Sequence, residues 1–216
     1  QLTITVASTS ATAAQLTTVA GATGLNVTAT AVETVTGSVS EITTLLGVEG
    51  SSGDKVNLDS NYLVTITDTG SVAASDLSTI NSATTGLVTA TSVATLTGTA
   101  ADINTLVGNE GDSGDKVNLD SDYVATLSDT TITATVLNAV DGNVPGAVNA
   151  STVNTITGAA ADINTAYSSS GISGLGDEAV TITDTGKVAA SDLSTINSAT
   201  TGLVTATSVA TLTGTA

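Results

Sequence analysis

A short aliphatic spacing recurs along the chain. It consists of an aliphatic residue, any residue, usually Thr, and a second aliphatic residue. It stands at Leu16/Val19, Val32/Val35, Ile42/Leu45, Leu77/Ile80, Val93/Leu96, Ile103/Leu106, Leu137/Val140, Val153/Ile156, Leu193/Ile196 and Val209/Leu212, and Ile163 opens one that ends at Ala166. Successive pairs start 16 residues apart, then 10, then 30 to 35. The rhythm marks a unit of about 55 to 61 residues, because units of a repeat protein present the same faces to their neighbours. A longer match fixes it: residues 65–100 return at 181–216 with Lys187 for Ser71 as the only change. Diverged copies cover about 3–39 and 126–160.

The pattern predicts a first unit over 1–64, a second over 65–125, a shorter variant over 126–180 and a partial fourth over 181–216, in one continuous elongated solenoid. In the first unit, LTITV at 2–6 alternates as a strand. Residues 11–21 read as a short helix, 24–30 as a strand and 32–37 as a helical turn or bend closed by glycine. Ser40 is placed to cap a helix over 41–46, and a polar loop at 48–53 precedes a strand over 54–62. In the second unit, Ser75 is the expected cap of 76–83 and Thr99 that of 100–107, with GLVTA at 86–90 as strand. In the variant unit, the glycine- and serine-rich stretch YSSSGISGLGDEAV at 167–180 reads as a loop where the others carry an acidic strand. β-Branched residues keep the helices to one to three turns, too short to persist without packing.

The expected fold is a β-rich mixed α/β repeat solenoid, right-handed, with short parallel strands alternating with these helices. An all-β solenoid is the alternative. Equivalent positions, Ile4/Ile66/Ile182 and Val27/Val88/Val148/Val204, are expected to form ladders between units.

Composition narrows the core. The chain of 216 residues has no Cys, His, Met, Phe, Trp or Arg, and Tyr62, Tyr123 and Tyr167 are its only aromatics. Yet 40% of residues are hydrophobic and the mean hydropathy is +0.35. Small aliphatics fill a core one or two side chains across, whereas a wide globular core draws on large aromatics. The formal charge of −17, from 20 acids against 3 lysines, argues against nucleic acid and against anionic membrane surfaces, which both require clustered cations. No run of about 20 apolar residues is present, so no membrane insertion is expected. The lack of cysteine removes disulfides and soft-metal sites.

SGDKVNLDSDY at 113–123 echoes SGDKVNLDSNY at 52–62. Alternation places Val117, Leu119 and Tyr123 on one face and Lys116, Asn118, Asp120 and Asp122 on the other. The polar set reads as a solvated strand face. It also reads as a calcium site formed by Asp115, Asn118, Asp120 and Asp122, with Asp54, Asn57 and Asp59 as the earlier copy, since oxygen-only ligands suit calcium. Asp68, Asp129 and Asp184 lie in turns, where Asp bonds its own backbone. Asp76, Asp102, Asp162 and Asp192 stand at helix starts. A hydrolytic carboxylate pair would need distinct cleft residues, and these acids recur in every unit; no catalysis is expected. Thr-x-Thr pairs are too irregularly spaced for an ice-binding face.

The segments VAASDLSTI, TGLVTATSVATLTG and TAADINTLVG resemble units of very large Thr/Ala/Gly-rich surface proteins of marine cyanobacteria and other aquatic bacteria, the group that includes the giant cell-surface motility protein of swimming Synechococcus. The resemblance implies an extracellular, acidic structural repeat at the cell surface, associated with calcium, as part of a filament or layer. The competing expectation is an adhesin, or a phage or virus fibre, that binds a surface ligand such as a glycan through the 167–178 loop. Neither 1–6 nor 201–216 has the look of a polar cap. The expected partner is therefore a further unit, through continuation of a longer chain or self-association end to end.

Overall fold

The computed structural model describes residues 3–53 and 55–214. The chain divides into two compact units, residues 1–96 with 105–123 and residues 97–104 with 124–216. Among the described residues there are seven helices and nineteen short strands, and the strands pair in parallel. The fold is mixed α/β, and the helices rule out the all-β alternative.

In the first unit, β1 (Ile4–Thr5) and β2 (Ser10–Thr12) lead into α1 (Ala13–Thr23). Next, β3 (Val27–Thr28) and β4 (Thr34–Gly37) lead into α2 (Val39–Val48). Three strands follow, β5 (Val56–Asn57), β6 (Leu63–Ile66) and β7 (Ser71–Ala73), before α3 (Ala74–Ala83) and β8 (Val88–Ala90). The division between the units runs through β9 (Thr95–Gly98) and α4 (Ala100–Val107), and β10 (Val117–Leu119) belongs again to the first. In the second unit, β11 (Val124–Leu127) and β12 (Thr131–Thr133) lead into α5 (Ala134–Asn143), and β13 (Val148–Asn149) and β14 (Thr155–Gly158) into α6 (Ala160–Ser168). Then come β15 (Ile172–Ser173), β16 (Ala179–Ile182), β17 (Lys187–Ala189), α7 (Ala190–Ala199), β18 (Val204–Thr205) and β19 (Thr211–Thr213).

The ladders have their own stride. In the first unit one runs Ile4–Val27–Val56 and another Ala11–Val35–Val64–Val88–Val117. In the second they run Ala125–Val148–Ile172, Ile132–Ile156–Val180–Val204 and Val188–Leu212. Partners lie 23 or 24 residues apart, or 29 where an acidic loop lies between them. The 61 residues that separate Leu16 from Leu77 thus hold one stride of 24, one of 29 and 8 more, and 8 is the step from Val56 to Val64. Each sequence repeat therefore starts one strand further on.

That offset corrects the expected ladders. Val27 lies in the β1–β3–β5 sheet, Val88 in the sheet of β2, β4, β6, β8 and β10, Val148 beside β11 and β15, and Val204 at the edge of the sheet ordered β12–β14–β16–β18. Ile4 pairs with Val27, Ile66 with Gly37 and Ile182 with Gly158. A parallel ladder needs strands one stride apart, whereas a sequence repeat needs only to reproduce the local order of elements.

Local corrections follow the same logic. Residues 32–37 turn into strand β4 and form no helix, because Val35 takes the place between Ala11 and Val64. The cap of α2 is Ser38, which accepts from Glu41 N–H while the Glu41 carboxylate accepts from Ser38 N–H. α3 starts one residue before Ser75, after Ala73, with no side-chain cap. Thr99 does cap α4 by accepting from Asp102 N–H. The 167–180 stretch holds strands: Ile172 pairs with Val148 and stands where Val117 stands in the preceding repeat.

Small aliphatics fill the core of each unit. Val35, Ile42, Leu45, Leu77, Leu96, Ile103, Leu106, Leu137 and Ile156 are fully buried, each contributing about 1.5–3 kcal/mol from burial. Tyr62 and Tyr123 are the largest buried side chains. Of the aliphatic pairs, Val19, Leu193 and Val209 are half-buried and Leu212 is exposed.

Candidate functional site

The acidic strands alternate as the sequence predicts. Val117, Leu119 and Tyr123 are buried, Lys116, Asn118 and Asp120 half-buried, and Asp115 and Asp122 exposed. In the earlier copy Val56 and Leu58 are buried, Asn57 is half-buried and Asp59 exposed, while Asp54 lies outside the described residues. Asp59 accepts from Ser60 N–H at 2.8 Å. Among the described residues no group of three or more acids, with or without His or Cys, is gathered as metal ligands. Lys55 reaches back to a helix end. Its ammonium donates to Gly47 C=O at 3.1 Å, in the last turn of α2, where a cation complements the helix dipole.

The turn aspartates act between strides. Asp68 Oδ2 accepts from Val39 N–H at 2.7 Å, Asp129 Oδ2 from Ala100 N–H at 2.7 Å and Asp184 Oδ2 from Ala160 N–H at 2.8 Å. Each N–H belongs to the first residue of a helix 24 or 29 positions earlier. The expectation that these acids bond their own backbone is corrected: the first N–H groups of a helix lack internal partners, and the next stride brings a carboxylate to them. Asp76, Asp102, Asp162 and Asp192 sit in first turns as expected.

A feature that sequence reasoning missed joins each tyrosine to a glutamate. Tyr62 is hydrogen-bonded to Glu49. Tyr123 faces the charge of Glu110, and its buried hydroxyl makes no hydrogen bond. Tyr167 donates to Glu178 Oε2 at 2.9 Å. Aligning the repeats on Ile103 and Ile163 sets Tyr167 at the place of Val107, and aligning DYVAT with DEAVT sets Glu178 at the place of Tyr123. The pair has exchanged sides. In the first two copies Glu precedes the strand and Tyr follows it; in the third Tyr precedes and Glu follows. Ala166 stands where Leu106 stands in the preceding repeat, next in sequence to the new tyrosine. The legible signal was that the only three aromatics each stand one strand away from a Glu.

The pair is held by the following stride. Thr84 Oγ1 donates to Tyr62 C=O at 2.5 Å and accepts from Gly86 N–H at 3.0 Å. Thr200 Oγ1 donates to Glu178 C=O at 2.7 Å and accepts from Gly202 N–H at 2.9 Å. A Cβ on Gly86 would collide with the Tyr62 carbonyl, and one on Gly202 with that of Glu178. Glu178 is fully buried, and its carboxylate also accepts from Gly176 N–H at 2.8 and 3.0 Å. A buried carboxylate requires such donors. Burial raises the pKa of the Glu49 carboxyl above its ordinary value, partly countered by its hydrogen bond with Tyr62, and burial raises that of Glu110 as well. All three tyrosines are pushed well above their ordinary value, by burial first and then by the facing glutamate.

One surface groove, of about 460 Å³, runs between α2 and α3 and is lined by Val39, Ser40, Thr43, Asp68, Val72 and Asp76 among others. Asp68 there is committed to Val39 N–H. Asp68, Asp129, Asp184, Thr84 and Thr200 thus bond the backbone of the stride before. No family model, curated protein or solved structure matches the chain.

Proposed function

We propose that each unit is a stretch of right-handed repeat solenoid and that the chain is a structural repeat segment of an extracellular filament or cell-surface layer, without catalysis. The observation that carries this reading is a recurring contact set: a parallel ladder from stride to stride and, once in each of three successive sequence repeats, an aspartate capping the helix of the stride before (α2, α4 and α6) and a tyrosine facing a glutamate. Scaffolds repeat their contacts; binding sites interrupt them. The interruption foreseen at 167–178 is itself fastened inward, through β15 and the buried Glu178. The acidic, aliphatic repeat and its likeness to bacterial surface proteins support the extracellular assignment. Antibodies against the chain should decorate surface filaments or layers of the source cells in electron micrographs; label confined to the cell interior overturns the assignment.

Calcium enters this reading as the counter-ion of the outward acids, with Asp59, Asp115, Asp120 and Asp122 as exposed or half-buried contributors. A charge of −17 works against compactness, and cation binding to the folded form stabilises it by linkage. The melting temperature should fall in chelator and recover more in Ca²⁺ than in Na⁺ at equal ionic strength. An unchanged melt removes calcium from the reading.

A further inference from the structure

Resting on the extracellular reading, we infer that Asn149 is an acceptor for an N-linked sugar, taken from a donor activated as a glycosyl diphosphate. Such acceptors have the form Asn-x-Ser/Thr, with x other than proline. The chain holds that form twice, as Asn26–Val27–Thr28 and as Asn149–Ala150–Ser151. The second arises from two changes within one repeat. VTAT stands at 27–30, 88–91 and 204–207, whereas 148–151 reads VNAS.

The fold separates the two. Asn26 is half-buried, and its Nδ2 donates to Lys55 C=O at 3.3 Å. Asn149 lies between the buried Val148 and Ala150, so alternation turns its side chain outward, and it is exposed. Its Oδ1 accepts from Ser151 N–H at 3.0 Å, a turn in which Asn bonds the backbone two residues on. Nδ2, on the other side of the amide, has no acceptor among the described residues. The ladder sets Asn149 between Thr126 and Ser173, both small. In the other copies the same outward row pairs Thr28 with Asn57 and Thr89 with Asn118. Those asparagines precede Leu and Asp and lack the hydroxyl two residues on. Ser151 supplies it, exposed in the turn that Val153 N–H closes on Ala150 C=O at 3.0 Å. The transfer needs no oxidant or reductant. The Nδ2–C1 bond forms and the bond from C1 to the phosphate oxygen breaks. The electron pair leaves with the diphosphate, and one amide proton passes to a base of the transferase. A nucleotide sugar and a lipid-linked oligosaccharide share that diphosphate.

The test is mass spectrometry of the native protein from its source cells, with electron-transfer fragmentation to place any added mass. The peptide that holds Asn149 should carry a sugar on that residue, and the peptide that holds Asn26 should be bare. A single hexose identifies a nucleotide-sugar donor, and a block of several sugars a lipid-linked one. Expressed in the same cells, Ser151→Ala should lose the sugar and Ser151→Thr should keep it. Both changes lie at an exposed turn, so both variants should melt as wild type does. A bare Asn149, a sugar on Ser151 in its place, equal modification of Asn26, or a sugar retained in Ser151→Ala overturns the inference. Antibody label separates it from the reading beneath it. Label at the cell surface with a bare Asn149 sinks the acceptor alone, whereas label confined to the interior sinks the surface reading, whatever the mass at Asn149.

Discussion

Residues 65–100 and 181–216 carry one sequence, apart from Ser71 and Lys187, and show what that sequence does and does not determine. The local structure is the same in both. Each holds a ten-residue helix after an alanine with φ −72° and no side-chain cap. Each sends a threonine hydroxyl back to the stride before it, Thr84 to Tyr62 and Thr200 to Glu178. The burial differs. Leu77, Val88, Ala90 and Leu96 are fully buried, whereas Leu193, Val204 and Ala206 are half-buried and Leu212 is exposed. The threonine bond and the ladder partner toward the preceding stride are thus shared by the two copies, and the contacts toward a following stride are unequal. Conformation is set by the chain's own order of residues; burial is supplied by the neighbour.

Substitutions that remove a following contact should therefore separate the copies most. Leu96→Ala should cost about 2–5 kcal/mol, the range for emptying a packed core site. Leu212→Ala should cost less than about 0.5 kcal/mol, as a surface change does. Substitutions against the preceding contact should not separate them: Gly86→Ala and Gly202→Ala each press a methyl on a backbone carbonyl and should each cost about 1–3 kcal/mol. Urea unfolding of the four variants checks both statements. Equal losses at Leu96 and Leu212 would mean that the two copies are covered alike.

Much of this was legible from the residues. Val117, Leu119 and Tyr123 read as inward from alternation alone, and α4 occupies the range its Thr99 cap and aliphatic spacing predict. The stride was not legible. The spacing at Val32/Val35 matches that at Ile42/Leu45, yet the first turns into a strand and the second lies on a helix, because the positions on either side in the ladder decide. Nor was the reach of Asp184 to Ala160, 24 residues back, visible without the stride. The Tyr167–Glu178 exchange was hidden because each half, taken alone, looks like a loss of the pattern.

Helix capping comes next in size of effect. α6 follows Ala159, which offers no side-chain bond, so Asp184 is the carboxylate at its start. α2 keeps its own Ser38–Glu41 box besides Asp68. Asp184→Ala should cost about 1–2 kcal/mol and Asp68→Ala less, on the scale of helix caps. Both losses should persist in 1 M NaCl, since these are short, partly buried hydrogen bonds that salt screens little. Thermal melts of both variants test the order.

The three tyrosine corners should rank by what each hydroxyl does. Tyr167→Phe leaves the buried Glu178 short of a donor and should cost about 1–3 kcal/mol. Tyr62→Phe removes a hydrogen bond to the half-exposed Glu49 and should cost about 1 kcal/mol. Tyr123→Phe removes a buried hydroxyl without a partner and should be neutral or stabilising. A large loss at Tyr123→Phe would show that its hydroxyl is satisfied, and the three corners would then be alike.

The smallest effect is the pH dependence of those corners, and its sign separates them from the charge of the whole chain. Burial holds Glu49 and Glu110 above the ordinary value of 4.5 in the folded protein. In the unfolded chain they ionise at that ordinary value. The folded state therefore keeps protons that the unfolded state gives up, and stability falls as pH rises. The contribution is fully present below 4.5 and is lost as pH climbs through the raised folded value. Net negative charge pushes stability the same way, so the wild-type curve alone decides nothing. Glu49→Gln removes one titration and hardly alters a charge of −17. Its stability relative to wild type should rise as pH climbs from 4.5 through the raised folded value and then level off. The tyrosines act in the same direction at higher pH. Their folded values lie above the ordinary 10.0, so their contribution is present below about pH 10 and lost above it. Tyr62→Phe should flatten that alkaline loss. A Glu49→Gln difference that stays constant as pH rises from 4.5 toward neutrality would mean that Glu49 titrates alike in both states.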